Sequence, residues 1–311
     1  MKHVCVKINV GTFEGDVDFM SNEFKQKKEK TSYFSKYIKN RRILFIFGIL
    51  TILGVAMKVY FDTNVFKVNR VSFQNNKLPS DSKLTILQIS DLHNKVFGSN
   101  NETVIDTVEQ ANADIIVLTG DLIDRGTDDL DYVFSLVERI TASNPYVFFV
   151  SGNHEWGNDL TEAFIEGLEQ RNVTILNNTS TEITIGSATI YLAGANDVTT
   201  NHENLNLAFE KVNQESYTIL LSHSPSILDK YKNIPADLVL SGHTHGGQVR
   251  LPLIGALVAP DQGFFPELEK GTYEFGENQF LYIDSGLGTT AAPIRFFNQS
   301  QVSLIEISGE K

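Results

Sequence analysis

Five apolar runs of strand length in this chain end at side chains that can bind a metal ion or carry a proton. The clearest run begins at Ile115 and stops at Gly120, and the carboxylate of Asp121 follows at once. An α/β sheet presents polar ligands in this way, at the carboxyl ends of its buried strands. The runs 84–90, 115–119, 146–150, 218–222 and 238–241 precede, in that order, Asp91 and His93, Asp121, Asn153 and His154, His223, and His243 and His245. We therefore expect these side chains to meet at one edge of one sheet.

The segments between the first runs have the apolar spacing of amphipathic helices. Apolar residues recur three or four positions apart within 104–111, 133–140 and 164–168. Strands that alternate with helices predict βαβ units around a buried sheet. Further strands are predicted at 182–192, 279–283 and 302–307, and we expect them to form a second sheet. The predicted fold class is therefore α/β (α+β), in one domain over residues 84–308.

The apolar segment nearest the N-terminus has the length of a membrane-spanning helix. Residues 43–57 contain no charge, and Lys58 is followed by three more apolar residues. A lysine near the end of a span can extend its ammonium group into the headgroup region, so residues 43–61, about 19 in all, are long enough to cross a bilayer. A cleaved export signal is the alternative, because Gly54-Val55-Ala56 resembles a cleavage site and Arg41-Arg42 resembles a twin-arginine motif.

These features predict a single-pass protein of the cell membrane. We expect residues 1–42 to be a mobile basic tail in the cytoplasm, 43–61 to be a transmembrane signal-anchor helix, and 62–83 to be a linker or edge strand. Basic residues are denser before the span than after it, so the folded part is expected outside the cytoplasm. Met20 is an alternative start of the chain.

Charge and cysteine content exclude several kinds of site. The net charge is -12, and residues 1–42 contain ten Lys or Arg against five Asp or Glu, so the rest of the chain is strongly acidic. An acidic surface argues against nucleic acid as a partner. Cys5 is the single cysteine, so the chain can form no intramolecular disulfide and the folded part has no thiolate. Metal ligands must therefore come from His, Asp, Glu and Asn.

The number of clustered ligands predicts two metal ions. One histidine after a strand is usually a hydrogen-bonded loop residue, but so many charges and dipoles at one place are costly unless a cation compensates them. Seven side chains are too many for one open catalytic ion: Asp91, His93, Asp121, Asn153, His223, His243 and His245. Asp121 would bridge the ions through its two oxygens and hold them about 3.5 to 4 Å apart, a separation at which a shared water becomes nucleophilic near neutral pH. A phosphoric ester is the natural substrate of such a pair.

The combined motifs resemble those of the calcineurin-like metallophosphoesterases. The motifs are Asp91-x-His93, Gly120-Asp121-x-x-Asp124, Gly152-Asn153-His154-Glu155, an isolated His223, and Gly242-His243-x-His245. The resemblance covers about 225 residues of the chain. An N-terminal apolar segment joined to Gly242-His243-Thr244-His245-Gly246-Gly247-Gln248 makes the chain look like the membrane-anchored bacterial phosphodiesterase branch. The resemblance implies a four-layer fold, with two mixed β-sheets packed face to face and helices outside, preceded by one N-terminal transmembrane helix.

The same resemblance implies a role for each site residue. One metal ion would take Asp91, His93, Asp121 and His245, and the other would take Asp121, Asn153, His223 and His243. His154 would face the leaving group and protonate it or stabilise its charge. Asp124 would orient His154 by accepting its second N–H, although an Asp here could also cap a helix. Arg125 either clamps phosphate, as in relatives that cleave monoesters, or faces solvent, and Glu155 is expected to brace the loop.

An apolar run after the last motif allows two interpretations. Residues 251–260 contain two prolines and one glycine, so they make a poor helix. They could form a buried hairpin that covers the sheet edge. They could also form an apolar wall beside the metals, extended by Phe264-Phe265, that accepts a lipid tail or rests on a bilayer.

The sequence thus favours a membrane-anchored hydrolase of phosphodiester or pyrophosphate bonds, including lipid-linked ones. The expected cofactors are two divalent ions, manganese first, with iron, zinc or cobalt as alternatives for a nitrogen and oxygen shell. The alternatives are a metal-dependent phosphomonoesterase and a catalytically silent scaffold that keeps the fold. The expected partners are a phosphoester or pyrophosphate substrate and the membrane, with no nucleic acid.

Overall fold

The computed structural model describes the backbone of residues 14–310 and the side chains of residues 21–310. The chain divides after Met57 into an N-terminal unit and a larger unit that begins at Lys58. The first 13 residues of the predicted tail lie outside the described part of the chain.

A single long helix, α1 (Glu14–Asn64), contains the predicted span. The sequence predicts a helix only from residue 43, whereas α1 also includes residues 14–42. Lys, Glu and Gln favour helix, and residues 16–47 contain neither glycine nor proline, so the helical backbone continues through the basic stretch. By length and composition, α1 is the one helix of the described chain that could cross a membrane, although a signal sequence near the N-terminus would pass the same test.

The first of two six-stranded sheets contains the strands that precede Asp91, Asp121 and Asn153. In spatial order its strands are β1 (Lys67–Asn75), β16 (Gln301–Gly309), β2 (Lys83–Ile89), β3 (Ile115–Leu118), β4 (Val147–Phe149) and β5 (Thr174–Ile175). The strands β2 to β5 are parallel, and β16 is antiparallel to β2. The strand predicted at 302–307 is therefore in this sheet and not in the second one. Its apolar residues fit a buried strand of either sheet, so the pattern alone could not place it.

The second sheet contains the strands that precede His223 and His243. In spatial order they are β14 (Gly271–Gly276), β15 (Gln279–Ile283), β9 (Leu238–Ser241), β8 (Tyr217–Ser222), β7 (Ala188–Ala195) and β6 (Thr179–Ile185). The central strands β15, β9, β8 and β7 are parallel, and the outer two are antiparallel. Two hairpins follow β9, formed by β10 (Arg250–Leu251) with β11 (Gly255–Ala256) and by β12 (Val258–Ala259) with β13 (Gly263–Phe264).

Shorter helices follow the strands of both sheets. They are α2 (Glu102–Ala111), α3 (Asp131–Ser143), α4 (Asn153–Trp156), α5 (Thr161–Glu169), α6 (Leu205–Ala208) and α7 (Ile227–Lys230), with 3₁₀ turns at Ser99–Asn101 and His245–Gly247. Successive residues of a strand point to opposite faces of its sheet, so one set packs between the two sheets and the other packs against the helices. Ile86 and Val117 pack with Ile219 and Leu240 of the other sheet, while Leu87 packs with α2 and α3 residues. The chain therefore has the predicted four-layer α/β/β/α fold.

Candidate metal centre

The predicted site residues lie at the carboxyl ends of strands from both sheets. Asp91, His93, Asp121, Asn153 and His154 follow strands of the first sheet, whereas His223, His243 and His245 follow strands of the second. The expectation of one edge of one sheet is therefore wrong. A buried strand that ends in a polar ligand has the same sequence pattern in either sheet, and the two sheets meet because their inner faces pack together.

His93 and His245 join the two sheets at the first ligand group. Their Nε2 atoms are 3.2 Å apart, and Asp91 Oδ1 lies 3.5 Å from His245 Nε2. The ligand atoms of these three buried residues all lie within 4.8 Å of one another. Two nitrogens bound at about 2.1 Å to one ion, at a tetrahedral angle, stand about 3.4 Å apart, so the observed spacing suits ligands of a single ion.

A second buried group consists of Asp121, His223 and His243, whose ligand atoms also lie within 4.8 Å of one another. His243 Nδ1 is 3.2 Å from His223 Nε2, which in turn is 3.1 Å from Asp121 Oδ2. Asp121 Oδ2 also lies 3.6 Å from His93 Nε2. One carboxylate oxygen therefore faces both groups, while Oδ1 accepts the backbone N–H of His154 at 2.9 Å. If Asp121 bridges two ions, as the sequence predicts, Oδ2 is the oxygen placed to do so.

Three of the four histidines are held through the ring nitrogen that points away from the groups. The acceptors are Asp124 Oδ1 for His93 Nδ1 at 2.7 Å, the Thr119 carbonyl for His223 Nδ1 at 2.8 Å, and Asp261 Oδ2 for His243 Nε2 at 2.6 Å. An acceptor at the outer nitrogen fixes the proton there and leaves a lone pair on the inner nitrogen. In neutral rings the inner nitrogens would therefore face one another as lone pairs, an arrangement that a cation would stabilise.

The groups at the centre shift one another's pKa values in both directions. Burial alone would lower the pKa of His93 and of His223, but Asp124 raises the pKa of His93, and Asp121 raises that of His223 well above its ordinary value. Burial lowers the pKa of His245 well below its ordinary value, and the nearby His93 adds to this effect. Burial alone would raise the pKa of Asp121, but His223 holds it well below its usual range. At neutral pH the centre thus offers a neutral imidazole and an ionised carboxylate, which are the forms that bind metals.

Asn153 occupies the first position of α4, beside the Asp121 carboxylate that accepts the N–H of its neighbour His154. Asn153 is buried, and its Oδ1 has no hydrogen-bond partner in the described part of the chain. A buried amide oxygen without a partner is costly in a folded protein. A metal ion beside Asn153 would supply that partner.

His154 and Asp124 lie next to the first group. Asp124 Oδ1 is 3.3 Å from His154 Nδ1, without a hydrogen bond, and the shorter contact of the same oxygen is with His93. The imidazoles of His154 and His93 lower the pKa of Asp124. Asp124 is not a helix cap, because α3 begins only at Asp131. Sequence reasoning thus missed that Asp124 holds His93 as well as facing His154.

Glu155 braces the loop, as the sequence predicts. Its fully buried carboxylate accepts four backbone N–H groups, from Asp121 and Gly152 at 2.8 Å each, from Leu122 at 2.7 Å and from Ile123 at 3.3 Å. These bonds fix the loop after β3 against the loop after β4. The neighbouring Arg125 is exposed and makes no ion pair with a described residue.

Several of the predicted ligands have an uncommon backbone conformation. Asp91, His93, Asp121, His243 and His245 all have φ between 48° and 69°, the left-handed region that is uncommon for residues other than glycine, although Asp and His enter it more often than most. Such conformations are typical of functional sites, where the surrounding structure holds them. Gly120 shows how tight the centre is, since a Cβ there would lie 2.7 Å from the Gly152 nitrogen and 2.8 Å from His223 Nδ1.

Two residues that the sequence did not single out support the centre. Asp261 is in the turn of the β12–β13 hairpin, and nothing in its spacing from His243 indicates the contact. Arg295 is fully buried and donates to the carbonyl oxygens of His245, Ser285 and Gly288. Both contacts depend on tertiary structure, so neither has a sequence signal.

Comparisons with known proteins agree with this geometry. The sequence model described as Calcineurin-like phosphoesterase matches residues 84–247. The chain is similar to the uncharacterized metallophosphoesterase YkoQ of Bacillus subtilis, with 30% identity over 85% of this chain and 99% of the relative. It is also similar to YkuE of the same organism, with 26% identity over 82% and 90%, and to Cj0846 of Campylobacter jejuni, with 31% identity over 87% and 71%. The chain therefore belongs to the calcineurin-like phosphoesterase family.

Proposed function

We propose that this chain is a membrane-anchored phosphoesterase with two divalent metal ions. One ion would be held by Asp91, His93, Asp121 and His245, and the other by Asp121, Asn153, His223 and His243. The observation that carries the proposal is the position of Asp121 Oδ2, 3.1 Å from His223 Nε2 and 3.6 Å from His93 Nε2. One charged oxygen between two inward-facing histidine pairs is the arrangement that a bridging ligand needs.

The residues of the chain would divide the chemistry among them. Bound divalent ions supply charge neutralisation at the phosphoryl oxygens and activation of water. His154 would donate a proton to the leaving oxygen or stabilise its charge. Asp124, 3.3 Å from His154 Nδ1, would orient the His154 ring. Glu155 and Asp261 would hold the ligands in place without contacting substrate.

Phosphodiesters and pyrophosphates, including lipid-linked ones, are the proposed substrates. An Arg at position 125 that faces solvent provides no clamp for the extra charge of a monoester. The apolar helix α1 would keep the enzyme at a membrane where lipid-linked substrates occur. The catalytic unit would face the outside, and manganese is the proposed metal, with iron, zinc or cobalt as alternatives.

Turnover of paired substrates by the full chain in detergent tests the proposal. With manganese added, a bis-aryl phosphate should be cleaved faster than the matched mono-aryl phosphate, and Asp121→Ala should abolish both activities. A faster monoester reaction would assign a phosphomonoesterase instead. Purified protein that binds no transition metal and cleaves neither ester would indicate a silent scaffold. A lipid pyrophosphate and a water-soluble pyrophosphate, compared at equal concentration, would then test the lipid preference.

A further inference from the structure

The two hairpins after β9 leave large apolar side chains in solvent. Leu253 is fully exposed at the turn of the β10–β11 hairpin, and Ile254 beside it is also exposed. In the β12–β13 hairpin, Phe264 is 81% exposed, and the following Phe265 is 65% exposed. Turns normally carry Gly, Pro, Asn, Asp or Ser, so the bulky apolar Leu253 and Ile254 are unusual in the first turn. The buried hairpin that the sequence allowed for residues 251–260 is therefore wrong for Leu253 and Ile254.

A third segment adds to this surface. Phe297 and Ile294 are both exposed, and the backbone between them pairs with the start of the first hairpin. The Arg250 N–H donates to the Phe296 carbonyl at 2.9 Å, and the Phe296 N–H donates to the Gln248 carbonyl at 3.0 Å. We call Leu253, Ile254, Phe264, Phe265, Ile294 and Phe297 the apolar rim. Exposed apolar surface from several neighbouring loops marks an interaction site more often than single exposed residues do.

The backbone at the apolar rim is itself strained. Leu253, Phe265 and Phe297 have φ of 69°, 54° and 50°, in the region that bulky side chains avoid. Beneath the apolar rim, the hairpins are anchored by small buried residues. Ala256 and Ala259 are buried, and a Cβ on Gly247 would collide with Ala256. The fold thus holds the apolar side chains outward on a fixed base.

The apolar rim begins where the chain enters the folded unit. Lys58 is the first residue of that unit, and its Nζ lies 5.5 Å from the centre of the Phe297 ring. Thr63 Oγ1 accepts the Arg295 N–H at 2.8 Å, between Ile294 and Phe297. Residues that directly follow the apolar part of α1 therefore contact the loop that carries the apolar rim. In a bilayer crossed by residues 43–61, Lys58 would lie near the interface, where a lysine can place its charge among the headgroups.

We infer that the apolar rim inserts into the surface of the bilayer that α1 crosses, and so presents the metal centre to the membrane interface. The bilayer is the partner that we assign to the apolar rim, because the chain continues from the membrane-spanning part of α1 directly into the folded unit at Lys58. Asp261 connects this surface to the centre, since it lies in the β12–β13 turn and contacts His243 at 2.6 Å. This inference rests on the membrane anchoring in the proposed function, but not on the reaction.

Depth measurements with single cysteines test the inference on the full chain. Cys5→Ser removes the single native cysteine. In that background, Leu253→Cys or Phe264→Cys is labelled with an NBD fluorophore. The labelled protein is then placed in vesicles of phosphatidylcholine and phosphatidylglycerol. Nitroxide-labelled phospholipid should quench both labels several-fold more than a label at Tyr146→Cys. Tyr146 is a matched control, because it is an exposed aromatic that precedes β4, at the end of the strand opposite the centre.

A label at Leu53→Cys separates anchoring from insertion of the apolar rim. If the label at position 53 is quenched but the label at position 264 is quenched no more than the label at position 146, α1 crosses the bilayer and the apolar rim does not insert. That result would overturn the inference and leave the anchoring intact. A blue-shifted but unquenched label at 264 would show a protein partner or a second copy on the apolar rim, and would also overturn it. A second variant tests the same inference without a label at position 264. The double substitution Phe264→Ser and Phe265→Ser should at least halve the quenching of the label at position 253, while the unfolding temperature of the protein stays unchanged.

Discussion

Asp261 Oδ2 lies 2.6 Å from His243 Nε2, although the two residues are 18 positions apart in the chain. The contact holds the His243 proton on Nε2 and turns Nδ1 toward His223, 3.2 Å away. Carboxylates commonly hold the outer nitrogen of a metal-binding histidine in this way. Asp261 therefore belongs to the centre as a positioning residue, even though no motif contains it.

We expect Asp261→Ala to weaken metal binding by about 10- to 100-fold, the usual effect of removing such a carboxylate. Isothermal titration of the metal-stripped protein with manganese would measure the change. Asp106→Ala is the matched control, because Asp106 is exposed on α2 and makes no ion pair or side-chain hydrogen bond with a described residue. Equal affinities for the Asp261 and Asp106 variants would show that the contact does not position His243.

The sequence predicts the centre better than its surroundings. Asp91, Asp121 and His243 could be placed from the sequence because each follows an apolar run at a strand end, and that local pattern survives in the fold. Neither Asp261 nor Arg295 could be found in this way, because each reaches the centre from a distant loop. The assignment of strands to sheets failed for a related reason: β16 pairs with β2, more than 200 residues earlier, and periodicity carries no information on such pairing.

Asp121 and His154 should differ when each is replaced by alanine. Asp121→Ala removes the oxygen that faces both histidine pairs, so metal analysis should find both ions lost. His154→Ala leaves the ligand groups intact, and we expect full metal content with turnover slower by about 10² to 10⁴, as for a lost general acid. Metal loss from the His154 variant would make His154 a ligand and remove it as the proton donor.

Glu155→Gln should destabilise the folded unit. The buried carboxylate accepts four backbone N–H groups. In Gln, an NH2 group replaces one of the two oxygens, so its two N–H donors would face backbone N–H donors in place of an acceptor. Hydrogen bonds to buried charged groups contribute about 1.5 to 3 kcal/mol each, so we expect a loss of at least about 2 kcal/mol in the free energy of unfolding. Urea unfolding in detergent would measure it. Glu166→Gln on the exposed face of α5 provides the control, and an equal stability of the two variants would contradict the bracing role.

The contribution of Asp284 to the stability of the folded unit should be more favourable at pH 4 than at pH 7. Its carboxylate is fully buried after β15, and burial raises its pKa to about 6. An unfolded Asp titrates at about 3.9, so between these values the folded state binds more protons than the unfolded state. The contribution of Asp284 to the free energy of unfolding therefore rises as the pH falls from 7 to 4. The full difference is up to about 3 kcal/mol, from about two pKa units.

Asp284→Asn isolates this contribution because Asn does not titrate. The neutral amide cannot copy every contact of the carboxylate, which accepts hydrogen bonds from Gly286 at 2.6 Å and Gln301 at 3.1 Å, so the two proteins will differ by some constant amount. The test is the pH dependence of that difference, measured by urea unfolding in detergent from pH 7 to 4. All other titrating groups cancel in the comparison. The original chain should gain stability over the variant as the pH falls, and a difference that is flat, or that moves the other way, would show that Asp284 is already ionised at pH 5.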